Sequence, residues 1–528
     1  MKKLIFLLII TPFLFSFLSC QKSFLDENSD SAYSPLNTYK NVAGMEAGIA
    51  GLQLSVREQT TMQNPGQSLI AVFQVGTDVA INGLFGPESE PFENYALLNS
   101  EGVAVSYFWT WAYKVITNAN LIIQGAEDDT AVLTTAQRSL YTAEAKFYRA
   151  FAYNFLVTLY GPVPLVDKPL TAPKTDFTRA SLESLNTLIN DDLIYATANL
   201  PNIDAVSKSG RINKQAANQL LAEVYLRQGK NDLAELQCME IINSKKLTLI
   251  KARFGVNKSL PGDPFSDMFI TGNQRRSSGN TESIWVEEME YLTPGGSSSL
   301  DQHRRVWVPY YSNVAGLLVA DSLGGRGVGR LRLSPWVING LYKTSDMRNS
   351  KYNIHRDFYY NDPKNAKFGQ KVIPVPADTL YKIAPFTTKW NHYISTDPTG
   401  NGAYKDITMM RFGETYLLLA EAQMKQKKLG DAAISINVLR SRANAANVNA
   451  SDITLDFILD ERVRELIGEE NRRMTLVRTG TLVERAKRLN KEKTLATIKD
   501  FNNLWPLPFS EIALNKDAVL EQNIGYTK

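Results

Sequence analysis

The strongest constraint on this chain is a repeated helical hairpin. Residues 408–444 read TMMRFGETYLLLAEAQMKQKKLGDAAISINVLRSRAN. Met409, Phe412, Tyr416 and Leu419 recur at helical spacing, and Ala432, Ile436, Leu439 and Ala443 do so again after a turn at 427–430. The spacing predicts two helices folded back on each other. Glu421 and Lys425 stand four apart, in the favourable order, on what the pattern gives as the outer side. Such a hairpin cannot bury its apolar face alone and needs neighbouring hairpins. Residues 213–243 supply one. Leu220-Leu221-Ala222-Glu223 aligns with Leu418-Leu419-Ala420-Glu421, and Ala234 falls on Ala433 with one inserted residue at the turn. The repeat is about one tetratricopeptide unit long, and its alanines let paired helices approach closely.

The beginning of the chain has a different character. Lys2 and Lys3 precede a mostly apolar run from Leu4 to Leu18, and Ser19-Cys20 close it. That is a secretory signal, too short to span a bilayer well. A cysteine at the cut point resembles a bacterial lipoprotein box, in which the cysteine is lipidated and becomes the new N-terminus. Residues 1–19 are therefore expected to be a signal peptide and 20–34 a polar tether. Loss of Lys2 and Lys3 moves the formal charge of +4 nearer neutrality. Near-neutral charge gives no footprint for nucleic acid. With only Cys20 and Cys238 in the chain, the fold rests on packing, and Cys238 reads as a buried apolar residue in a helix.

From residue 35 onward the pattern describes one large domain. A helical part is expected over 35–250, with helices at about 39–59, from near Trp109, from a capping box at Thr134 and Gln137 to Tyr160, and over 181–200. Residues 251–406 break the pattern. They are rich in Gly, Pro, Ser, Asn and aromatics, with short strands expected at 283–288 and near 371–375. A C-terminal helical part fills 407–528. Its inner stripe is Leu455, Leu459, Val463 and Leu466, with Asp460 and Arg464 pairing outside. The fold class is mostly α: tetratricopeptide-like hairpins forming a scaffold, with a loop-rich insertion carrying a few short strands.

Catalytic patterns are thin. His303, His355 and His392 stand apart, no zinc spacing or GxSxG occurs, and Gly324 to Gly329 form no phosphate-binding fingerprint. No metal, cofactor or catalytic residue is assigned. Glu287, Glu288 and Glu290 beside Trp285, and Asp128-Asp129, read as solvated surface. Glu461, Arg462, Glu465, Glu470, Arg472 and Arg473 read as a structural ion-pair network. Loop aromatics are more informative. Sugar rings present flat C–H faces that stack on aromatic rings, and their hydroxyls bond to Asn, Asp and Arg. The irregular stretches supply Phe92, Tyr95, Trp109, Trp307, Tyr310, Tyr311, Trp336 and Tyr359, with Asp78, Asn82 and Arg305 as polar candidates.

Ordered features along the whole chain now define a family resemblance. They are Cys20 with Phe24-Leu25-Asp26; Trp111, Tyr113, Ile116, Ala119 and Asn120; and Ala143-Glu144-Ala145 with Arg149-Ala150. Later come Arg411-Phe412, Glu414, Tyr416-Leu417 and Ala420-Glu421-Ala422, then Asn437, Leu439-Arg440 and Arg442-Ala443. Glu461-Arg462, Glu465-Leu466, Arg472-Arg473, Leu476-Val477-Arg478 and Gln522-Asn523 complete the series. The chain resembles the RagB/SusD family of outer-membrane nutrient-binding lipoproteins. The resemblance implies a lipid anchor on Cys20, a position on the cell surface, and an oligosaccharide ligand. It also implies a SusC-like TonB-dependent transporter as partner. Peptide cargo, a secreted glycan-cleaving enzyme and a purely structural adaptor are the other readings of the same sequence.

Overall fold

The structure is a computed structural model that describes residues 38–61, 66, 68–291, 293, 296 and 301–527. The signal segment, Cys20 and the tether lie outside the described residues.

Helices dominate: α1 (Val42–Arg57), α2 (Val103–Glu127), α3 (Thr135–Tyr160), α4 (Leu182–Asn199), α5 (Lys214–Arg227), α6 (Asn231–Asn243), α7 (Phe412–Lys425), α8 (Leu429–Arg442), α9 (Leu455–Leu466) and α10 (Arg472–Arg478). They pack mostly as successive antiparallel neighbours: α2 on α3, α3 on α4, α5 on α6, α7 on α8. The two hairpins read from sequence meet each other, with α7 lying on α6 and α5. Their alanines, Ala216, Ala217, Ala222, Ala234, Ala420, Ala422, Ala432 and Ala433, are all buried, which permits the close approach. Between them Thr415 Oγ1 donates to Gln219 Oε1 at 2.7 Å, and Gln219 Nε2 donates to Glu414 Oε2 at 3.0 Å. Cys238 sits free and buried in α6.

The capping box forms as expected. Gln137 N donates to Thr134 Oγ1 and Thr134 N to Gln137 Oε1, satisfying two of the helix's unpaired donors. Beyond it α3 is buried on several sides, and its rings join those of α2. Phe108, Phe155 and Tyr160 surround Trp505, which arrives from the C-terminal segment with centroids at 6.1, 6.4 and 5.5 Å. Trp505 N donates to Leu159 O at 2.6 Å. The extended C-terminus thus seals the core laid down by the first helices.

Strands are short and serve as cross-ties. β1 (Ala80–Asn82) pairs antiparallel with β3 (Leu331–Leu333), β2 (Ser283–Glu287) with β6 (Ile407–Arg411), and β4 (Ile354–His355) with β5 (Phe386–Thr387). The strand expected at 371–375 does not form; Lys371 makes only an isolated bridge to Tyr359. Within the insertion, Val308, Tyr311, Leu317, Leu323, Phe358, Val372, Ile383 and Phe386 build a small core of their own.

A buried network of charges binds scaffold to insertion. Arg348 reaches Asp346 and Glu461 at 2.8 Å and Glu465 at 3.1 Å. Arg411 meets Glu465 and Glu469 at 2.6 Å, Arg442 meets Glu282 at 2.7 Å, and Arg440 meets Glu461 at 2.8 Å. Bidentate guanidinium geometry suits such sites. The network's net worth is small against its desolvation cost, but removing one partner strands the other. Two expectations about outer faces are corrected by it. Glu421 is fully buried and binds Arg478 at 2.7 Å as well as Lys425, because α10 covers that face of α7. Asp460 pairs with Arg485 at 2.5 Å, not with Arg464, which turns to Glu461.

Candidate functional site

The site is built where β1 and β3 bring the N-terminal loops against the insertion. Their pairing continues past the strands: Gly83 N donates to Arg330 O at 3.0 Å and Leu84 N to Gly329 O at 2.7 Å. Val328 and Gly329 both donate to Arg305 O, and Tyr310 N donates to Tyr381 O at 2.8 Å. The glycines make this stacking of backbones possible. Gly329 has φ +65°, and a Cβ there would stand 2.4 Å from Tyr381 O. A Cβ on Gly327 would stand 2.1 Å from Val308 O. This glycine run is packing material, as the sequence suggested.

The resulting face presents Phe85, which is exposed, and Tyr310 and Tyr381, which are partly exposed. Guanidinium groups surround them. Arg330 Nη1 donates to Phe85 O. Arg326 Nη1 donates to Asn401 Oδ1 at 2.7 Å and to Thr399 O. Arg304 donates to His392 O and Gly400 O. Arg305 has a half-buried side chain that makes no hydrogen bond or ion pair among the described residues, and its Nε is enclosed without an acceptor. Burial, followed by Arg326, Arg304 and Arg330, pulls its pKa down to about 10.

The sequence candidates divide sharply. Arg305 and Tyr310 lie on this face. Asn82 lies at its edge and holds the loop beneath it: its N–H donates to Glu93 at 2.6 Å, its Nδ2 to Glu90 at 3.3 Å, and its Oδ1 accepts from Ser89 at 2.8 Å. Burial, helped by Glu492 and Glu90, raises Glu93 to about 7 against the Asn82 N–H bond that lowers it. Asp78 is wholly enclosed, where Arg472 and Arg485 bind it. Burial would raise its pKa; the two guanidinium groups win and lower it. Phe92 and Tyr95 are buried under Arg473, with Tyr95 Oη accepting from its Nη1 at 2.5 Å. Trp109 is not in a loop. It lies inside α2, packed on Tyr113 and Tyr160. Tyr311 is buried and donates to Gly325 O at 2.7 Å. Trp336 is half-buried over the Arg485 guanidinium at 5.5 Å. Trp307 lines an interior cleft of about 170 Å³ with Trp285, Trp390, His303 and Met409. Irregular backbone did not mean exposed side chains, because this loop region carries core residues of its own.

Among the carboxylates beside Trp285 the solvated-surface reading is corrected for Glu287, while Glu290 is exposed as expected. Glu287 is buried, accepts from Thr60 Oγ1 at 2.9 Å, and is raised by burial to about 7. Glu288 and Glu290 meet Arg275 at 3.2 and 3.1 Å. Sequence reasoning missed Phe85, Arg326 and Tyr381, since single residues in aperiodic loops give no inward or outward signal. It also left unjoined an open groove of about 660 Å³ in the insertion, lined by Tyr352, Tyr359, Tyr360, Asn361 and Phe368.

Comparison with known proteins fits this architecture. Residues 379–526 match the SusD family model, and residues 23–226 match a model described as starch-binding, associating with the outer membrane. The chain belongs to the SusD/RagB family. SusD-like protein P25 of Formosa agariphila is 25% identical over 554 residues, covering 97% of this chain and 98% of that one. The starch-binding protein SusD of Bacteroides thetaiotaomicron is 26% identical over 444 residues, with 78% and 76% covered. Among solved structures, a laminarin-binding SusD-like protein superposes with a TM-score of 0.71 at 23% identity, over 92% of this chain and all of that one. NanU of B. fragilis does so at 0.73 and 19% identity, over 94% and 100%. These two likenesses establish the shared fold.

Proposed function

We propose that this protein captures oligosaccharides at the bacterial surface and passes them to a TonB-dependent outer-membrane transporter, binding its ligand without cleaving it. The observation that carries the reading is the loop-built face. Phe85, Tyr310 and Tyr381 offer ring surfaces of the kind that stack on pyranose C–H faces, and guanidinium donors stand beside them. The names of relatives that bind starch and laminarin support the same chemistry. The groove at Tyr359 and Phe368 offers a second place for a sugar ring. Cys20 is the proposed lipid attachment, and the polar tether would let the domain stand off the membrane.

The test is a carbohydrate panel with purified residues 21–528, followed by calorimetry on the glycans retained. The expected result is retention of one glycan class, unchanged ligand after prolonged incubation, and loss of binding in Tyr310→Ala with Tyr381→Ala. Released reducing ends would replace this reading with an enzyme. Retention of peptides and no glycan would replace the cargo. Cell fractionation of Cys20→Ala checks the anchor, which predicts release of the variant from the membrane fraction. Affinity isolation of the full chain from its own envelope checks the partner, which should be a large outer-membrane barrel.

A further inference from the structure

The charges on the ligand face do not balance. Elsewhere in the molecule most buried arginines have a carboxylate in contact, as Arg348, Arg411, Arg442, Arg472 and Arg485 do, and Arg473 is filled by carbonyls and the Tyr95 hydroxyl. Arg304, Arg305 and Arg326 form no ion pair among the described residues. The acceptors of Arg304 and Arg326 are neutral carbonyl and amide oxygens. The acids nearest in influence are accounted for. Asp301 holds His303 Nδ1 at 2.6 Å, Asp397 acts on Arg304 only at a distance, and Glu88 acts on Arg330 while accepting from Ser68. Arg305 is the extreme case, half-buried, unpartnered and faced by three other guanidinium groups.

At Arg305 only Nε is held out of water without an acceptor, which is costly, and like-charged neighbours raise that cost, while its Nη groups are not enclosed and are free to meet a ligand. Nothing in the packing of residues 303–310 requires an arginine at this position, since Val306, Trp307 and Val308 supply the buried contacts. A fork of donors without acceptors matches the planar, bidentate oxygens of a carboxylate or the oxygens of a sulfate ester. Aromatic rings on the same face match the sugar that would carry them.

We propose that the ligand of this face is an acidic oligosaccharide, whose carboxylate or sulfate group is received by Arg305 with Arg326 and Arg304 supplying the surrounding positive field. This rests on the oligosaccharide-binding reading above and narrows its substrate class. Charge complementarity of this kind also steers encounter, so binding should weaken as salt rises.

The experiment is calorimetric titration of residues 21–528 with three probes of matched length: oligogalacturonate for carboxylates, sulfated galactan oligosaccharide for sulfate esters, and neutral laminarin oligosaccharide. Wild type, Arg305→Gln and Arg305→Lys are compared, each first shown to melt as wild type does. The expected result is that one charged probe binds, that Arg305→Gln weakens it at least tenfold, and that Arg305→Lys recovers part of the loss. Which charged probe binds distinguishes the two anions. Equal binding of the neutral probe by wild type and Arg305→Gln, with no charged probe bound, would overturn the anionic assignment and leave oligosaccharide binding standing. No binding of any of the three would overturn the anionic assignment, and a blank carbohydrate panel would overturn the wider reading too.

Discussion

Replacing Asp78 with Asn tests whether this residue belongs to the scaffold or to the ligand. Its carboxylate takes Arg472 Nε at 2.9 Å and Nη2 at 2.6 Å, and Arg485 Nε at 2.8 Å. Its carbonyl accepts from Ser334 Oγ at 2.7 Å. Arg473 and Asn490 bind the neighbouring carbonyls of Val72, Val75, Thr77 and Ala80. One acid therefore anchors a clamp between the first loops and the last quarter of the chain. An amide in its place turns an N–H₂ toward two guanidinium groups and leaves them short of charge. Breaking a buried pair in this way costs about 3–5 kcal/mol. At ~2.1 cal/mol/K per residue, a chain of 528 residues unfolds with an entropy of roughly 1 kcal/mol/K, so Tm should fall only about 3–5 °C.

Calorimetry and urea titration followed by tryptophan fluorescence measure that loss. The pH dependence supplies a second check. Asp78 has its pKa lowered in the fold, so its contribution is present above its ordinary value near 3.8 and disappears as pH falls below it. The two stability curves should converge in acid. Unchanged stability at pH 7 together with abolished glycan binding would refute the reasoning and return Asp78 to the ligand.

Three further outcomes follow from the same geometry. Glu93→Gln keeps an acceptor for the Asn82 N–H but cannot ionise. Glu93 is raised to about 7, so its favourable protonated state is fully present below 4.5 and lost as pH rises through 7. The variant should match wild type at pH 4 and be more stable at pH 8.5, by roughly 3–4 kcal/mol at most, as read from melting at both values. Gly329→Ala places a methyl against Tyr381 O at a positive φ. It should disturb the ligand face, cutting glycan affinity by a larger factor than its effect on Tm would suggest. Trp505→Ala empties the aromatic cluster of Phe73, Phe92, Phe108 and Tyr160. It should cost about 3–5 kcal/mol in denaturant unfolding and expose the C-terminal segment to protease.

Periodicity explains which parts of this architecture could be read in advance. The hairpins at 213–243 and 408–444 announced themselves through apolar residues at helical spacing, and the capping box at Thr134 through a local pattern. The Glu461 to Arg473 cluster is recognisable as structural because its charges sit at helical spacing on an amphipathic segment, and Arg462 and Arg472 both pair with Glu470. Glu421 was misplaced for a specific reason: α7 is covered on both sides, so a polar residue outside its apolar stripe still faces another element, α10. The aperiodic loops carried no such signal. Trp109, Phe92 and Tyr311 look alike in sequence to Tyr310 and Phe85, and only tertiary packing separates the buried from the exposed.

Arginine shows the same ambiguity in its sharpest form, and charge pairing resolves it. Arg472 and Arg473 are adjacent in a helix, as Arg304 and Arg305 are. The first pair is buried and saturated: Arg472 takes Asp78 and Glu470, and Arg473 takes two carbonyls and the Tyr95 hydroxyl at short range. In the second pair, Arg304 finds only carbonyls and Arg305 finds nothing among the described residues. Folding offsets the desolvation of the first pair with partners supplied by the chain itself. For the second pair the chain supplies no acid in contact: Arg304 is offset by carbonyls and the more distant Asp301 and Asp397, and Arg305 is left to whatever the solvent or a ligand brings. A binding face held in this state is stabilised by whatever anion completes it, in proportion to ligand concentration over Kd. What sets Arg305 apart from the scaffold's arginines is that among the described residues it has neither an acid nor a neutral acceptor, whereas Arg473 is filled by carbonyls and a hydroxyl.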